Sequence, residues 1–242
     1  MELTSMCHWF PLVKDLGVPV PRTEIIPVGL EALHKWFCDG LGELEGGKPC
    51  GDPEWLPKIV EAADAFGYPL FLRTDLASGK HGWRGTCHVP AADRLKTRMF
   101  GILYEIELQS FTGLPNVAWV LRELLEPTPG FVYAPFGEMP VGKERRYFVR
   151  DGEVECAHPY WPEEAFSSFS EDDERRQILA SLSEQRDDER ELLTEYAETL
   201  AGVLPGYWSV DFYCDAAGKW WFIDAAEGHK SWHPDCPFAP RD

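Results

Sequence analysis

Two aspartates near the C-terminal end of the chain have types and spacing that suit metal chemistry. Asp211 interrupts an apolar run at residues 208–214, and Asp224 follows a second apolar run at residues 220–223. The turn between the runs predicts a hairpin, which can bring the two carboxylates side by side on one face. Adjacent carboxylates repel each other, and Mg²⁺ removes that cost because it prefers hard oxygen ligands. The alternative is that backbone NH groups or a basic residue satisfies both carboxylates.

A basic residue and a glycine loop form the second candidate. Arg73 ends an apolar stretch, and Ser78, Gly79 and Lys80 follow it in a polar loop. Glycine lets backbone NH groups approach a phosphate closely, while Arg73 and Lys80 add positive charge. The Walker spacing is absent, so an ordinary surface turn is the competing interpretation.

Two consecutive arginines form the third candidate, within a predicted strand at residues 144–149. Strand alternation puts Arg146 on one face with Glu144, and Arg145 on the other. An arginine in such a strand is usually paired, and here it could hold an anionic substrate or a transferring phosphoryl group. An Arg–Glu bridge on the sheet surface is the alternative.

The tail after Asp224 contains Lys230 together with His229 and His233. A lysine just past the predicted metal strand could reach phosphate or substrate, although a solvated tail explains these residues equally well. The aromatic corner at residues 158–161 is interpreted as packing. The seven cysteines are odd in number and form no CxxC pair, so neither a disulfide framework nor a zinc site is indicated. Reduced, mostly buried thiols are expected, and a catalytic Cys–His pair stays open.

Composition limits the functional class. The 242 residues are 44% hydrophobic and 26% charged, as in globular proteins, with no apolar run long enough to cross a bilayer. The N-terminus lacks the regions of a signal peptide, so a cytoplasmic location is expected. A net charge of -18 disfavours extensive binding to duplex nucleic acid but allows a local basic pocket.

Hydrophobic periodicity and turn residues predict an α+β protein with two lobes. Helices are predicted at residues 7–16, 53–66, 91–111 and 171–204, the last with a break near residues 186–188. Strands are predicted at residues 24–28, 69–73, 118–124, 145–149, 153–158, 208–214 and 219–224. Residues 39–49 contain four glycines and are predicted to form a loop.

Taken in order, these segments resemble the ATP-grasp superfamily over nearly the whole chain. Residues 16–23 look like the entry to its first lobe, and residues 68–75 like its strand ending in a phosphate-binding basic residue. Residues 120–125 resemble the hinge strand that holds the adenine. The segments Val210–Phe212 and Phe222–Asp224 resemble its paired carboxylate strands. More narrowly, residues 73–81 and 144–146 are similar to a phage-associated clade marked by two arginines and a lysine.

The resemblance implies an α+β fold whose two lobes, here residues 1–116 and 117–242, grip ATP between antiparallel sheets. It implies that ATP and Mg²⁺ are the cofactors. The implied nucleotide-binding residues are Arg73, Ser78, Lys80, Glu123, Leu124, Leu125 and Lys230. The implied metal ligands are Asp211, Asp224 and Glu227, and the implied catalytic residues are Arg146, Arg145 and Lys80.

Two features depart from the family pattern. The usual ending is a carboxylate, one residue and then a metal-binding Asn, whereas Ala226 occupies that position here, so Glu227 would have to replace it. The chain also lacks the preceding α/β domain that many members use for substrate. The substrate pocket is therefore expected within the lobes or from a partner.

The implied activity is an ATP-dependent ligase. A substrate carboxylate attacks the γ-phosphate of ATP to give an acylphosphate and ADP, and an amine or similar nucleophile then displaces phosphate. The substrates would be small-molecule or peptide carboxylates and amines. The alternative, supported by Ala226, is a catalytically degenerate ATP-binding module that regulates a protein partner. A nucleic-acid ligase ranks last, because the nearest motif, ending in Asp151-Gly152, lacks the lysine two residues before Asp151.

Overall fold

A computed structural model describes residues 2–44, 51–109, 114–166 and 173–237 of the chain. These residues form two compact units. The N-terminal unit comprises Arg22–Leu124 and Tyr133–Met139, and the C-terminal unit comprises Met1–Pro21, Leu125–Val132 and Pro140–Asp242. The opening of the chain thus belongs to the same unit as its end. The lobe boundary expected between residues 116 and 117 stays a prediction.

Helices and antiparallel strands alternate along the chain, which confirms the predicted α+β class. The helices are α1 (Met6–Val13), α2 (Leu30–Leu44), α3 (Leu56–Phe66), α4 (Leu95–Gln109), α5 (Asp173–Ser183) and α6 (Asp187–Ala201). The strands are β1 (Thr23–Pro27), β2 (Leu70–Thr74), β3 (His88–Val89), β4 (Ala118–Glu123), β5 (Phe131–Tyr133), β6 (Met139–Val141), β7 (Glu144–Arg150), β8 (Glu153–Pro159), β9 (Tyr207–Cys214) and β10 (Trp220–Glu227). No helix among the described residues has the length and apolar character needed to cross a membrane.

The N-terminal unit is built on a four-stranded antiparallel sheet in the order β1-β4-β2-β3. Alternate residues of its central strands, such as Leu72 and Leu121, are buried in a core with side chains of α2, α3 and α4. Because side chains alternate along a strand, Phe71 and Arg73 of β2 lie on the opposite face. This second face is the one that carries the basic candidate.

The prediction of a loop at residues 39–49 is wrong for its first part. Helix α2 continues to Leu44 and includes Gly40 and Gly42, while residues 45–49 lie outside the described residues. Burial of an apolar face that includes Trp36 and Phe37 favours the helix over the glycine propensity. Gly40 also has a packing reason, since a Cβ there would lie 2.5 Å from a ring carbon of Phe100.

The C-terminal unit is built on a second antiparallel sheet in the order β10-β9-β7-β8. One face of this sheet forms the core. Its aromatic side chains pack edge to face, with ring centroids 5.6 Å apart for Tyr147 and Phe212 and 5.4 Å apart for Trp9 of α1 and Phe222. The opposite face carries Asp211 and Arg146.

Two turns predicted from local chemistry are confirmed. Asp151 and Gly152 both have positive φ, 48° and 97°, and they join β7 to β8 in a two-residue turn of the kind that twisted hairpins prefer. The long helical region after residue 171 divides into α5 and α6. Arg186 precedes α6 in extended conformation and forms a reciprocal capping box with Glu189.

Candidate functional site

The two candidate aspartates are direct cross-strand neighbours. Asp211 of β9 pairs with Asp224 of β10, and a bulge between Phe222 and Asp224 shifts the register. Regular pairing would place Ile223 opposite Asp211 and turn Asp224 to the core face. The bulge therefore brings both carboxylates to one face, as the hairpin prediction required.

Arg146 holds Asp211 through two hydrogen bonds. Its Nε and Nη2 donate to Oδ1 and Oδ2 of Asp211, each at 2.8 Å, and the two side chains are only 14% and 8% exposed. Burial alone would lower the pKa of Arg146, but attraction to Asp211 outweighs it and raises that pKa. The guanidinium also lies over the Tyr160 ring, 4.6 Å from its centroid. Asp211 thus has a basic partner, as one alternative interpretation expected.

This arrangement leaves room for a cation at Asp211. A carboxylate offers about four lone-pair sites, and the bidentate contact with Arg146 uses two of them. The neighbouring Asp224 accepts a hydrogen bond from the backbone NH of Ala225 at 3.1 Å. Two such carboxylates on adjacent strands form a donor set that suits Mg²⁺.

Arg145 lies on the other face of β7, as strand alternation predicted. Its side chain is buried, with 1% exposure, and its guanidinium donates to the carbonyl oxygens of Glu144, Leu182 and Glu184 at 2.8, 3.0 and 2.5 Å. The last two of these contacts cap the carbonyl end of α5. The structure therefore gives Arg145 a packing role and separates it from the Asp211 face.

The remaining carboxylate candidate is paired with the tail. Glu227 forms one ion pair with Lys230 and another with His229, the latter at 3.8 Å. Lys230 also lies 3.5 Å from Glu2, and hydrogen bonding with Glu227 raises its pKa. For Glu227 to bind a metal ion, its contact with Lys230 would have to open.

The basic candidate of the N-terminal unit is buried at the end of β2. Arg73 is 3% exposed, and its Nε donates to the carbonyl of Thr74 at 3.1 Å. The following turn is held by Asp75, whose Oδ1 accepts from the backbone NH groups of Val117 and Ala118 at 2.8 and 3.0 Å. Asp75 therefore has a structural role, which fixes where the loop after Arg73 begins.

The loop that carries Ser78 and Lys80 contains a left-handed glycine. Gly79 has φ of 60°, which favours glycine, and Lys80 then starts a 3₁₀ turn, Lys80–Gly85. The segment around Gly137 packs directly on this turn, since a Cβ at Gly137 would lie 2.8 Å from the Gly82 backbone. The loop is thus held on a second part of the same unit.

The predicted adenine-binding segment follows β4. Glu123 is exposed and pairs through its backbone NH with the carbonyl of Arg22 at 2.9 Å, while its carboxylate accepts from the Arg22 NH at 3.2 Å. Leu124 and Leu125 come next and are partly buried. The division between the two units falls between these leucines.

Sequence reasoning missed two residues beside the candidates. Arg122 is 4% exposed and lies on the Arg73 face of its sheet, because its cross-strand neighbour is Phe71. Its Nε donates to Thr23 Oγ1 at 3.1 Å. Tyr160, interpreted as packing, instead contacts Arg146. A buried arginine in an apolar strand was the signal available for Arg122.

Comparison with solved structures shows the fold of the chain. Cdc123 from Schizosaccharomyces pombe is 12% identical with a TM-score of 0.58, and the match covers 93% of this chain and 83% of that one. VanG D-Ala:D-Ser ligase from Enterococcus faecalis is 14% identical with a TM-score of 0.51, covering 93% of this chain and 52% of that one. No curated protein matches the sequence.

Family comparison adds to the fold. A family model for an ATP-grasp domain, family 3 of the clade named for two arginines and a lysine, matches residues 62–241, about three quarters of the chain. The match includes Arg73, Lys80 and Arg146, as well as both carboxylates of the β9-β10 hairpin. The chain therefore belongs to family 3 of this clade of ATP-grasp domains.

Proposed function

We propose that this protein is an ATP- and Mg²⁺-dependent ligase that joins a carboxylate to an amine or a similar nucleophile. The substrate carboxylate attacks the γ-phosphate of ATP, which leaves ADP and an acylphosphate, and the nucleophile then displaces phosphate. Membership of the ATP-grasp family supports the reaction class. The observation that carries the proposal is the Asp211–Asp224 pair beside Arg146.

In this proposal Asp211 and Asp224 hold Mg²⁺, and Glu227 completes the set once Lys230 releases it. Their hard oxygen donors fit this ion. Bound Mg²⁺ would neutralise phosphate charge. The position usually taken by Asn holds Ala226, whose methyl group cannot bind a metal, so the donor set depends on Glu227.

The basic residues position the phosphates and the reacting group. Arg73, Lys80 and the backbone around Ser78 contact phosphates in the N-terminal unit, and Lys230 adds charge in the other. Arg146 steadies the acylphosphate, since a guanidinium beside a carboxylate can accept a second anionic partner in its fork. Residues 123–125 contact the adenine. Positioning and charge neutralisation account for most of the catalysis in such reactions.

The second candidate function is an ATP-binding module that regulates a protein partner without turnover. Two observations favour it: Ala226 in the Asn position, and the ion pair that ties Glu227 to Lys230. Both functions predict ATP binding, and they differ in whether ADP is formed.

Thermal unfolding with ATP and Mg²⁺ is the first test. A ligand that binds only the folded state stabilises it by about 2.7 kcal/mol at 100 times its Kd. We expect this gain in the parent protein, and its loss in Asp224→Asn and in Arg73→Ala. The readout is the ligand-dependent shift in Tm, since substitution of the buried Arg73 also changes the unliganded Tm. Asp15→Asn is the control, because the Asp15 side chain is 86% exposed.

The outcomes separate the candidates. A shift in the parent and the control, lost in both site variants, supports the assigned nucleotide and metal residues. ADP release in a screen of carboxylates and amines then favours the ligase, whereas binding without ADP release favours the regulatory module. No shift in the parent refutes both functions, and normal turnover by Asp224→Asn refutes the metal assignment.

A further inference from the structure

Two cysteines and two histidines of the C-terminal unit converge on one point. They are Cys156 and His158 of β8, and His233 and Cys236 of the segment after β10; one ligand atom of each lies within 4.8 Å of all the others. Nε2 of His233 is 3.1 Å from Sγ of Cys156 and 3.8 Å from Sγ of Cys236. A tetrahedral Zn²⁺, about 2.3 Å from sulfur and about 2.0 Å from nitrogen, holds its ligand atoms roughly 3.3–3.8 Å apart.

The sequence builds this cluster from two short motifs. Cys156 and His158 are two residues apart on one strand, so their side chains project from the same face. The other two ligands come from a His-x-x-Cys motif in the tail. The tail is held at its start by a 2.6 Å contact between the hydroxyls of Ser231 and Ser209 of β9. Both motifs therefore reach the cluster from anchored backbone.

The two imidazole rings present nitrogens suited to metal binding. Nδ1 of His233 lies 2.7 Å from the carbonyl oxygen of Pro234, so this nitrogen carries the proton and donates it, which leaves the Nε2 lone pair facing the sulfurs. Nε2 of His158 is buried and has no hydrogen-bond partner among the described residues. An unsatisfied buried nitrogen is costly, and a bound cation would satisfy it.

We propose that Cys156, His158, His233 and Cys236 form a structural zinc site. Two thiolates and two neutral imidazoles match the charge and softness of Zn²⁺ and complete a closed tetrahedral shell. On binding, the two thiols release their protons. A disulfide between the cysteines is the main rival, but it gives the His158 nitrogen no partner.

The zinc site would tie the tail to the face that carries Arg146. Trp232 immediately precedes His233, and its carbonyl accepts a hydrogen bond from Nη1 of Arg146 at 3.2 Å. His158 is the cross-strand neighbour of Arg146. Zinc would thus fix the position of a carbonyl that contacts Arg146. The inference concerns metal binding and does not depend on the proposed ligase activity.

Metal content of the full chain tests the proposal. The protein is purified under reducing conditions without chelator, and we expect about one zinc ion per chain. After removal of the metal, addition of Co²⁺ should give the absorption of a tetrahedral site with thiolate ligands. In hydrogen exchange, peptides of residues 228–237 should exchange faster in the metal-free protein than after zinc is restored.

His158→Ala and Cys236→Ser should each lower zinc affinity at least tenfold. The control is Cys38→Ser, because Cys38 lies 3.7 Å from Nε2 of His34 in an exposed Cys–His pair outside the cluster; this variant should keep the parent stoichiometry. A parent protein with no zinc and no cobalt spectrum overturns the proposal, as does a mass lower by two hydrogens that shows a disulfide. Cluster variants that keep parent affinity also overturn it.

Discussion

Replacing Arg146 with methionine should make the stability of the protein depend on Mg²⁺. The substitution removes two charged hydrogen bonds to Asp211 and leaves that carboxylate beside Asp224 without the Arg146 charge. Loss of one partner from a buried ion pair costs about 3–5 kcal/mol. Because Arg146 and Asp211 keep 14% and 8% exposure, we expect a somewhat smaller loss, about 2–4 kcal/mol, without metal.

Mg²⁺ should return part of this loss. A cation at ten times its Kd stabilises the folded state by about 1.4 kcal/mol. In the parent, the positive charge of Arg146 opposes binding at Asp211, so Mg²⁺ should bind more tightly to Arg146→Met and stabilise it more. The measurement is urea unfolding with and without Mg²⁺, with matched ionic strength in both series.

Arg145→Met is the matched control because it changes the neighbouring residue on the opposite face. This variant loses hydrogen bonds to three carbonyl oxygens and should be destabilised to a similar extent, but with no added response to Mg²⁺. An equal Mg²⁺ response in the parent and Arg146→Met would refute the reasoning. So would a response that survives the further change Asp224→Asn.

Two other predictions concern stability. Gly40→Ala should destabilise by about 1–3 kcal/mol, because its Cβ would collide with a ring, whereas Gly42→Ala, with open space around it, should stabilise by up to about 1 kcal/mol; urea unfolding of the two variants compares them. Burial would raise the pKa of Glu189, but hydrogen bonds, led by that from Lys143, lower it overall. Its contribution is therefore present above the unfolded pKa of about 4.3 and is lost as pH falls through the lower folded value. Glu189→Gln should cost about 1–3 kcal/mol in unfolding at pH 7 and less in acid; a pH-independent cost would contradict this assignment.

Local chemistry made much of the C-terminal sheet predictable. The Asp151-Gly152 turn fixed the register of β7 with β8, and strand alternation assigned Arg145 and Arg146 to opposite faces. The bulge before Asp224 was not predictable, since it depends on how β10 packs as a whole. The sequence favoured one side for both aspartates without showing the mechanism.

Features that depend on distant contacts were missed. Helix α2 tolerates Gly40 because Phe100, sixty residues later, packs against it. The cysteine–histidine cluster joins a Cys-x-His motif to a His-x-x-Cys motif 77 residues away, and a search for CxxC pairs overlooks both. Each motif is visible in the sequence, but only the fold shows that the two lie together.

The sheet face around Arg146 carries two donor sets of opposite character. Asp211 and Asp224 offer hard oxygens, whereas Cys156 and His158 on β8 offer soft sulfur and nitrogen. Ligand softness should keep Mg²⁺ at the first set and Zn²⁺ at the second, so the two ions need not compete. Arg146 touches both regions, since it binds Asp211 and lies opposite His158. Zinc removal should therefore act on the carboxylate site through the position of Arg146, and not by emptying that site.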